Sequence, residues 1–283
     1  MMDRYCVIGH PVAHSKSPWI HARFAELTGQ ALRYDALLAP LDGFADAVRR
    51  FQAEGGRGCN VTVPFKFEAA ALASELTDRA TLAGACNTLV LREDGSILGD
   101  NTDGAGWVRD IEQGAGFALA GRRVLLVGAG GAAAGLLGPV ISARPARVMM
   151  VNRTVAKAEA LVAAHQAWAD EHGVQLACGT LDEAGEAHEL VVNATASSLK
   201  EAAVPVRPDV LARGALACDL MYGPAARGFL DWAASHGAVP RDGLGMLVEQ
   251  AAESFLRWRG VRPPTAAVLS QLRTLLEGAA PRA

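Results

Sequence analysis

The chain has 283 residues, of which 51% are hydrophobic and 20% are charged. A chain of this length is expected to form about two domains with a sizeable core. Its formal net charge of −3 gives no reason to expect nucleic acid or a membrane surface as a partner.

The cysteines are scattered singly and form no CxxC pair, which predicts buried thiols in a reducing cytoplasm rather than a disulfide framework or a metal site. The first residues lack the layout of a signal peptide, and no apolar run is long enough to span a bilayer. We therefore expect a cytoplasmic protein without a bound metal. The five cysteines are Cys6, Cys59, Cys86, Cys178 and Cys218.

The first part of the chain alternates between predicted strands and helices, as is typical of an α/β fold. After the first strand, Ser15 and Ser17 come directly before Pro18, which suits the first turn of a helix. Two hydroxyl groups beside a helix N-terminus could hold a substrate carboxylate, whereas the alternative is that Ser17 only caps the helix. The pattern predicts strands over 5–9, 32–38 and 58–63, and helices over 18–27 and 41–53.

Polar residues cluster at the end of the third predicted strand. Asn60 and Thr62 would project from one face, because side chains two apart in a strand share a face. Pro64 ends this strand and Lys66 begins a helix, at the carboxyl end where open α/β sheets bind ligands. An isolated lysine is usually a solvated surface residue, but the Asn-x-Thr-x-Pro-x-Lys pattern favours a site residue.

The loop 99–104 holds acid, amide and hydroxyl groups in a row. Asp103 in this loop is either a site carboxylate or the N-cap of the helix that follows. Around the loop, the pattern predicts helices over 76–82 (capped by Thr77) and 106–113, and strands over 89–92 and 96–98 joined by a turn at Asp94-Gly95.

A glycine-rich turn at 128–132 follows the apolar run 124–127 and precedes a helix that continues to Leu137. Glycines let the backbone approach a diphosphate closely, and the free N–H groups of a helix start attract its charge. The spacing is GxGGA rather than the full GxGxxG, so an ordinary strand-to-helix turn is the alternative.

The residues after the next apolar run, 147–151, indicate which nicotinamide cofactor binds. An NAD-binding unit would place an acidic residue about 20 residues past the glycine turn, where it accepts hydrogen bonds from the ribose. This chain has Asn152-Arg153-Thr154 there, with Lys157 one helical turn later. A guanidinium pairs bidentately with a 2′-phosphate, so the pattern predicts NADP. The alternative is that Arg153 and Lys157 are ordinary surface residues at an exposed helix start.

The remaining chain predicts strands over 174–178, 190–193 and 215–220, and helices over 156–168, 246–258 and from the break at Pro263-Pro264 to about Leu276. Several short motifs then stand in one order: 15–18, 60–66, 84–88, 101–104, the GxGGA turn, 152–154, 193–195, 219–222 and 242–252. This set resembles the shikimate dehydrogenase family over nearly the whole chain.

The resemblance implies a two-domain α/β fold, with an N-terminal α/β substrate-binding domain and a Rossmann-type NADP-binding domain. The substrate domain is then discontinuous, 1–103 with 241–283, around a Rossmann domain over 104–240. It also implies reversible reduction of 3-dehydroshikimate to shikimate by NADPH in aromatic amino-acid biosynthesis. Substrate and nicotinamide would meet in a cleft that a hinge could open and close. The chain would be a monomer or a homodimer.

By the family's pattern, Lys66 and Asp103 are the catalytic pair. Hydride that reaches a ketone carbon leaves negative charge on its oxygen, and an ammonium stabilises that charge and can donate a proton. The substrate residues carried over are Ser15, Ser17, Thr62, Asn87, Tyr222 and Gln250, with Asn60 beside them. For the cofactor they are Gly128, Ala129, Gly130, Gly131 and Ala132 at the diphosphate, Asn152, Arg153, Thr154 and Lys157 at the 2′-phosphate, and Asp78, Thr195, Leu220 and Gly243 elsewhere.

The chain departs from the family's pattern in two loops. Segments 196–200 and 223–228 lack the residues usual in the family, and we expect both loops at the cofactor side or the cleft. They put the nicotinamide contacts in question but not the reaction class. For Gln250, the alternative is a satisfied amide in a core helix. The rival functions are a relative that prefers quinate or uses NAD, and a non-catalytic NADP-binding sensor, which the presence of Lys66 and Asp103 disfavours.

Overall fold

The computed structural model describes residues 2–195 and 204–278, and its contacts divide the chain into two compact units. The first unit comprises Met1–Gly106 with Leu247–Ala283, and the second comprises Trp107–Met246. The two-domain α/β class predicted from the sequence is confirmed. Both boundaries fall within helices, a few residues from the predicted domain limits at 103/104 and 240/241. Among the described residues, no helix has the length and apolar character needed to cross a membrane.

The first unit is built on a mixed sheet of six strands in the order β2-β1-β3-β5-β6-β4. Strand β1 pairs in parallel with β2 and β3, whereas β5 runs antiparallel to β3 and β6. The strands are β1 (Asp3–Gly9), β2 (Leu32–Leu38), β3 (Gly56–Val61), β4 (Glu75–Leu76), β5 (Thr88–Leu91) and β6 (Ile97–Asp100). The helices are α1 (Ser17–Thr28), α2 (Phe44–Ala53), α3 (Lys66–Leu72), α4 (Asp78–Ala83) and α5 (Asp103–Arg109), which crosses into the second unit.

The second unit contains a fully parallel sheet in the order β12-β11-β10-β7-β8-β9. Numbered within the unit, this order is 6-5-4-1-2-3, which is the strand order of a Rossmann fold. The strands are β7 (Arg123–Val127), β8 (Arg147–Val151), β9 (Gln175–Gly179), β10 (His188–Asn193), β11 (Leu211–Asp219) and β12 (Val239–Arg241). The helices are α6 (Gly131–Ser142), α7 (Val155–His172) and α8 (Arg227–Ser235), followed by α9 (Leu244–Arg259) and α10 (Thr265–Gly278), which return to the first unit.

Several predicted boundaries were wrong in detail. Strand β3 was predicted over 58–63, yet it begins at Gly56 and ends at Val61, so Thr62 lies in the loop beyond it. Gly58 lies within this strand, and the position favours glycine because a Cβ there would lie 2.5 Å from the Trp258 indole nitrogen and 2.8 Å from the Leu89 carbonyl. The short strands β4 and β12 were missed, since two or three residues give no periodic signal. Helix α8 was also missed.

The hairpin and cap predictions around residue 94 and Thr77 are confirmed. Strands β5 and β6 pair antiparallel around the turn at Asp94-Gly95, where Gly95 has a φ of 87°. The Thr77 hydroxyl accepts the N–H of Ala80 at 3.4 Å and so caps α4. All five cysteines are free thiols, and Cys178 alone among them is not fully buried.

An aromatic cluster packs α1 and α9 against the sheet of the first unit. The ring of His21 is fully buried and stacks on Tyr34, with centroids 4.1 Å apart and planes at 4°. Phe24, Phe255 and Trp258 surround the same ring. Burial disfavours the charged imidazolium and lowers the pKa of His21 to about 3.

The buried imidazole makes folding stability depend on pH. Below the ordinary histidine pKa of about 6.5, the unfolded chain binds a proton that folded His21 does not, so the free energy of unfolding falls by about 1.4 kcal/mol per pH unit toward pH ~3. We expect urea titrations between pH 7 and pH 5 to show this loss, and His21→Phe to reduce its slope by that amount. His14→Gln, at an exposed position, serves as the control. Equal slopes in wild type and His21→Phe would contradict the assignment.

Candidate active site

A lysine–carboxylate pair lies just past the carboxyl end of the first unit's sheet. Lys66 is the first residue of α3, and its Nζ lies 2.5 Å from Oδ2 of Asp103, the first residue of α5. The side chains are only 15% and 6% exposed. The alternative that Asp103 is an N-cap is wrong, because Asp103 lies within the helix and its carboxylate is held by Lys66.

Asn87 holds the other oxygen of the same carboxylate. Its Nδ2 donates to Asp103 Oδ1 at 2.8 Å, and its Oδ1 accepts the N–H of Thr102 at 2.8 Å. The same Nδ2 lies 3.2 Å from Oε1 of Gln250, on α9. Asp103 is therefore fixed from two sides, which leaves the Lys66 ammonium with a defined direction.

Gln250 is brought to this group as the resemblance implied, and its amide is also engaged by the protein. Its Nε2 donates to the carbonyl of Leu247 at 2.8 Å, and the residue is buried. The alternative of a satisfied core amide therefore describes part of its environment. Gln250 lies on the buried face of α9, beside Asn87.

Asn60 lies beneath Asn87 in a buried cluster of polar side chains. Its Oδ1 accepts the hydroxyl of Tyr34 at 2.7 Å, and its Nδ2 lies 2.8 Å from Ser254 Oγ and 3.1 Å from Thr88 Oγ1. These groups occupy the Asn60 amide within the unit. Sequence reasoning missed Tyr34, Thr88 and Ser254, although Ser254 lies one helical turn after Gln250 and so shares its face.

The serine loop and Thr62 follow neighbouring parallel strands. Ser15 and Ser17 come after β1, and Thr62 comes after β3, so all three lie at the same carboxyl edge. Ser17 is the first residue of α1, after Lys16 in the cap position, and its N–H donates to Ser15 Oγ at 3.3 Å. The alternative that Ser17 is the N-cap is therefore wrong.

In the second unit, the glycine turn joins β7 to α6. Gly128 has a φ of +114°, and a Cβ there would lie 3.0 Å from the carbonyl of Ala194 and from Thr195 Cγ2. Among the described residues, no atom lies within 4 Å of a Cβ built on Gly130, which occupies the cap position of α6. The turn therefore offers open space at a helix N-terminus, an arrangement that suits a diphosphate. Ala129, Gly131 and Ala132 complete it.

The predicted 2′-phosphate residues lie at the same edge of this sheet, because β8 pairs in parallel with β7. Asn152 follows β8, and its Nδ2 donates to the carbonyl of Thr154 at 2.8 Å, which shapes the turn into α7. Arg153 and Lys157 are exposed. Two exposed cations beside a glycine turn suit the phosphate of NADP better than the ribose hydroxyls of NAD.

The residues after β10 and β11 also gather at this edge. Thr195 donates its hydroxyl to Asn193 Oδ1 at 2.7 Å, and Asn193 donates to Asp219 Oδ2 at 2.8 Å. A Cβ on Gly243 would lie 2.2 Å from the carbonyl of Leu220, so only glycine fits beside that backbone. Segment 196–200 lies outside the described residues, whereas 223–228 forms a 3₁₀ turn, Gly223–Ala226, and the start of α8.

Two predicted site residues do not lie in the unit that holds most of the residues predicted for the same ligand. Asp78, predicted for the cofactor, is the first residue of α4 in the first unit. Tyr222, predicted for the substrate, precedes the 3₁₀ turn of the second unit, and burial raises the pKa of its phenol.

Comparison with protein-family models matches three successive parts of the chain. Residues 7–89 match the shikimate dehydrogenase substrate binding domain, residues 111–203 match shikimate / quinate 5-dehydrogenase, and residues 243–273 match the shikimate 5′-dehydrogenase C-terminal domain. The first and third matches lie mostly in the first unit and the second lies in the second unit.

Individual relatives cover almost the full chain. The chain is 61% identical to the shikimate dehydrogenase (NADP(+)) of Acidovorax sp. strain JS42 over 98% of both chains. Its structure is similar to that of an Ael1 enzyme from Pseudomonas putida, with a TM-score of 0.86, 46% identity, and coverage of 95% and 98%. It is also similar to a shikimate 5-dehydrogenase from Thermus thermophilus in complex with NADP(H) and shikimate, with a TM-score of 0.83, 32% identity, and coverage of 97% and 100%.

Proposed function

The chain belongs to the shikimate dehydrogenase family, and from this membership we propose that it catalyses the reversible NADPH-dependent reduction of 3-dehydroshikimate to shikimate. The reaction makes it an oxidoreductase acting on a CH–OH group, in the pathway to chorismate and the aromatic amino acids. The observation that carries the proposal is the ion pair of Lys66 and Asp103 beside the amide of Asn87.

Lys66 acts on the substrate's carbonyl oxygen in this proposal. Bound NADPH supplies the hydride, and the oxygen then gains negative charge. The Lys66 ammonium stabilises that charge and donates a proton to it. Asp103 supports the ammonium, since its Oδ2 accepts one N–H of Lys66 at 2.5 Å while Asn87 holds Oδ1. In the oxidation direction, Lys66 takes the proton back from the hydroxyl.

The other polar groups of the first unit bind the ring acid. Ser15 and Ser17 hold the carboxylate beside the start of α1. We assign the ring hydroxyls to Thr62, Asn87, Gln250 and Tyr222. A site that hydrogen-bonds each hydroxyl rejects an analogue that lacks one, because buried polar groups are then left unpaired. Asn60 supports Asn87, because its Nδ2 donates to the Asn87 carbonyl at 3.2 Å. Tyr34, Thr88 and Ser254 also engage the Asn60 amide.

The second unit has the features that NADP requires. A side chain on Gly128 would meet Ala194 and Thr195, and the space around Gly130 at the start of α6 is open. We assign the diphosphate to 128–132 and the 2′-phosphate to Asn152, Arg153, Thr154 and Lys157. Thr195, Leu220, Gly243 and Asp78 are assigned to the rest of the cofactor.

The absorbance of reduced nicotinamide tests the proposal directly. Purified protein is offered shikimate or quinate, each with NADP⁺ or NAD⁺. We expect turnover with shikimate and NADP⁺, with the other three combinations much slower. A preference for quinate would assign the chain to the quinate-oxidising branch, and a preference for NAD⁺ would overturn the role of Arg153. A folded protein that binds NADPH but turns over no combination would be a sensor.

The five free thiols support a reducing compartment, and we propose that the enzyme works in the cytoplasm as a monomer or homodimer. Sedimentation equilibrium at enzyme concentrations used for kinetics distinguishes the two assemblies.

A further inference from the structure

The buried carboxylate of Asp100, three residues before Asp103, accepts hydrogen bonds from several side chains. Asp100 ends β6, and its side chain has 0% exposure. Arg79 grips it bidentately, with Nε 2.6 Å from Oδ1 and Nη2 2.7 Å from Oδ2. Thr77 Oγ1 adds a bond of 2.7 Å to Oδ1, and Arg257 Nε adds one of 3.1 Å to Oδ2. Planar guanidinium forks fix a carboxylate in position as well as neutralising it.

The charge of Asp100 is maintained by these partners. Burial alone would raise its pKa, but the hydrogen bonds and positive charge of Arg79, with Thr77 and Arg257, hold the pKa below its ordinary value. Asp100 is therefore an anion in the interior, and its position is dictated by the two guanidinium groups.

Asp100 hydrogen-bonds both to Asn87 and to the segment that leads into Asp103. Its backbone carbonyl accepts the N–H of Asn87 at 3.1 Å, and its Oδ1 accepts the N–H of Asn101 at 2.8 Å. Asn101 in turn accepts the N–H of Asp103 at 3.2 Å and donates to the carbonyl of Ala85 at 2.8 Å. A displacement of Asp100 would therefore move both Asn87 and Asp103.

We propose that Arg79, acting through Asp100, is a positioning residue that sets the geometry of Asp103 and Asn87 around Lys66. The inference rests on the proposed function, since its readout is the rate of hydride transfer. Arg79 touches neither reacting group in this proposal; it contributes by holding the end of β6 against the start of α4. A misplacement of about 1 Å in a catalytic group can cost about 100-fold in rate.

Arg79→Lys is the informative variant, because lysine keeps the charge and loses the bidentate fork. We expect kcat per NADPH-binding site to fall by about 10- to 100-fold. The dissociation constant of NADPH should stay nearly unchanged, whereas shikimate should bind more weakly, because the displaced Asn87 also holds a ring hydroxyl in the proposed function. Shikimate deuterated at the oxidised carbon provides a second readout. If the clamp sets the chemical step, the isotope effect on kcat is larger in Arg79→Lys than in the wild type.

Arg259→Lys is the matched control. Arg259 has a side-chain exposure of 18% against 27% for Arg79, and it binds the carboxylate of Asp3. Arg79 binds Asp100 and also lies 3.8 Å from a carboxylate oxygen of Glu253. Asp3 begins β1, so this pair lies at the amino end of the strand. A stability loss without loss of kcat or change in the isotope effect is expected for Arg259→Lys. The same result for Arg79→Lys would overturn the proposal, because the clamp would then be only structural.

If Arg79→Lys does not fold, Arg257→Gln decides the question. Its side chain is 40% exposed and supplies a single bond to Asp100. A lowered kcat with normal NADPH binding and a raised isotope effect supports the positioning role, whereas an unchanged kcat refutes it.

Wild-type turnover is measured in the same assay, so its absence would count against the proposed function and not against the clamp. In that event, shikimate affinity measured by calorimetry replaces kcat: weaker binding by Arg79→Lys, but not by Arg259→Lys, supports the clamp, and equal affinities refute it.

Discussion

Substitution of Lys66 by methionine is expected to lower kcat for shikimate oxidation by about 10²- to 10⁴-fold. Methionine has a similar length but no amine, so in the oxidation direction the substrate hydroxyl loses the group that takes its proton. In the proposed function most of the groups that bind NADPH belong to the second unit, so its dissociation constant should remain near the wild-type value. The absorbance assay gives kcat, and fluorescence titration gives the NADPH affinity.

The same substitution has a separate effect on stability. It leaves the carboxylate of Asp103, which is 6% exposed, without its cation, and breaking a buried pair in this way costs about 3–5 kcal/mol. The double variant Lys66→Met/Asp103→Asn removes both charges and should recover much of that stability, while its kcat stays as low as that of Lys66→Met.

Arg49→Met, which removes an exposed cation of α2, is the control for charge loss. A kcat within a few-fold of wild type in Lys66→Met would exclude Lys66 as the proton donor.

Substitution of Arg153 by alanine is expected to raise the KM for NADP⁺ by about 10- to 100-fold, as a lost charge-assisted bond of about 1.5–3 kcal/mol implies. The KM for NAD⁺ should change little, because NAD⁺ carries no 2′-phosphate. The ratio of the KM for NAD⁺ to the KM for NADP⁺ therefore falls by the same factor. Steady-state kinetics with both cofactors at saturating shikimate measure it.

Arg147→Ala provides the control for the Arg153 substitution. Arg147 begins β8, and Arg153 follows the other end of that strand, so both changes remove an exposed arginine from one strand and its flank. Only the substitution at the carboxyl end should alter cofactor kinetics. Equal loss of affinity for NADP⁺ and NAD⁺ in Arg153→Ala would show that Arg153 contacts a part common to both cofactors.

The order of the elements and the class of the fold were predictable because they depend on local patterns. The apolar run at 124–127 predicted a strand before the glycine turn, and the structure places it beside the apolar run at 147–151, as the parallel strands β7 and β8. The Rossmann-type unit and the family followed from motifs whose residues are close in sequence. The roles of the individual site residues stay predictions, although the pairing of Lys66 with Asp103 is a contact that the structure shows.

Only the tertiary structure decided which polar groups support the site. Asn60 read as a substrate ligand beside Thr62, but its amide is engaged by Tyr34 and Ser254, which are 26 and 194 residues away in sequence. The grip of Arg79 and Arg257 on Asp100 likewise joins segments separated by 21 and 157 residues. Sequence patterns report neighbours along one strand or helix, whereas a buried polar group takes its partners from whatever elements the fold packs against it.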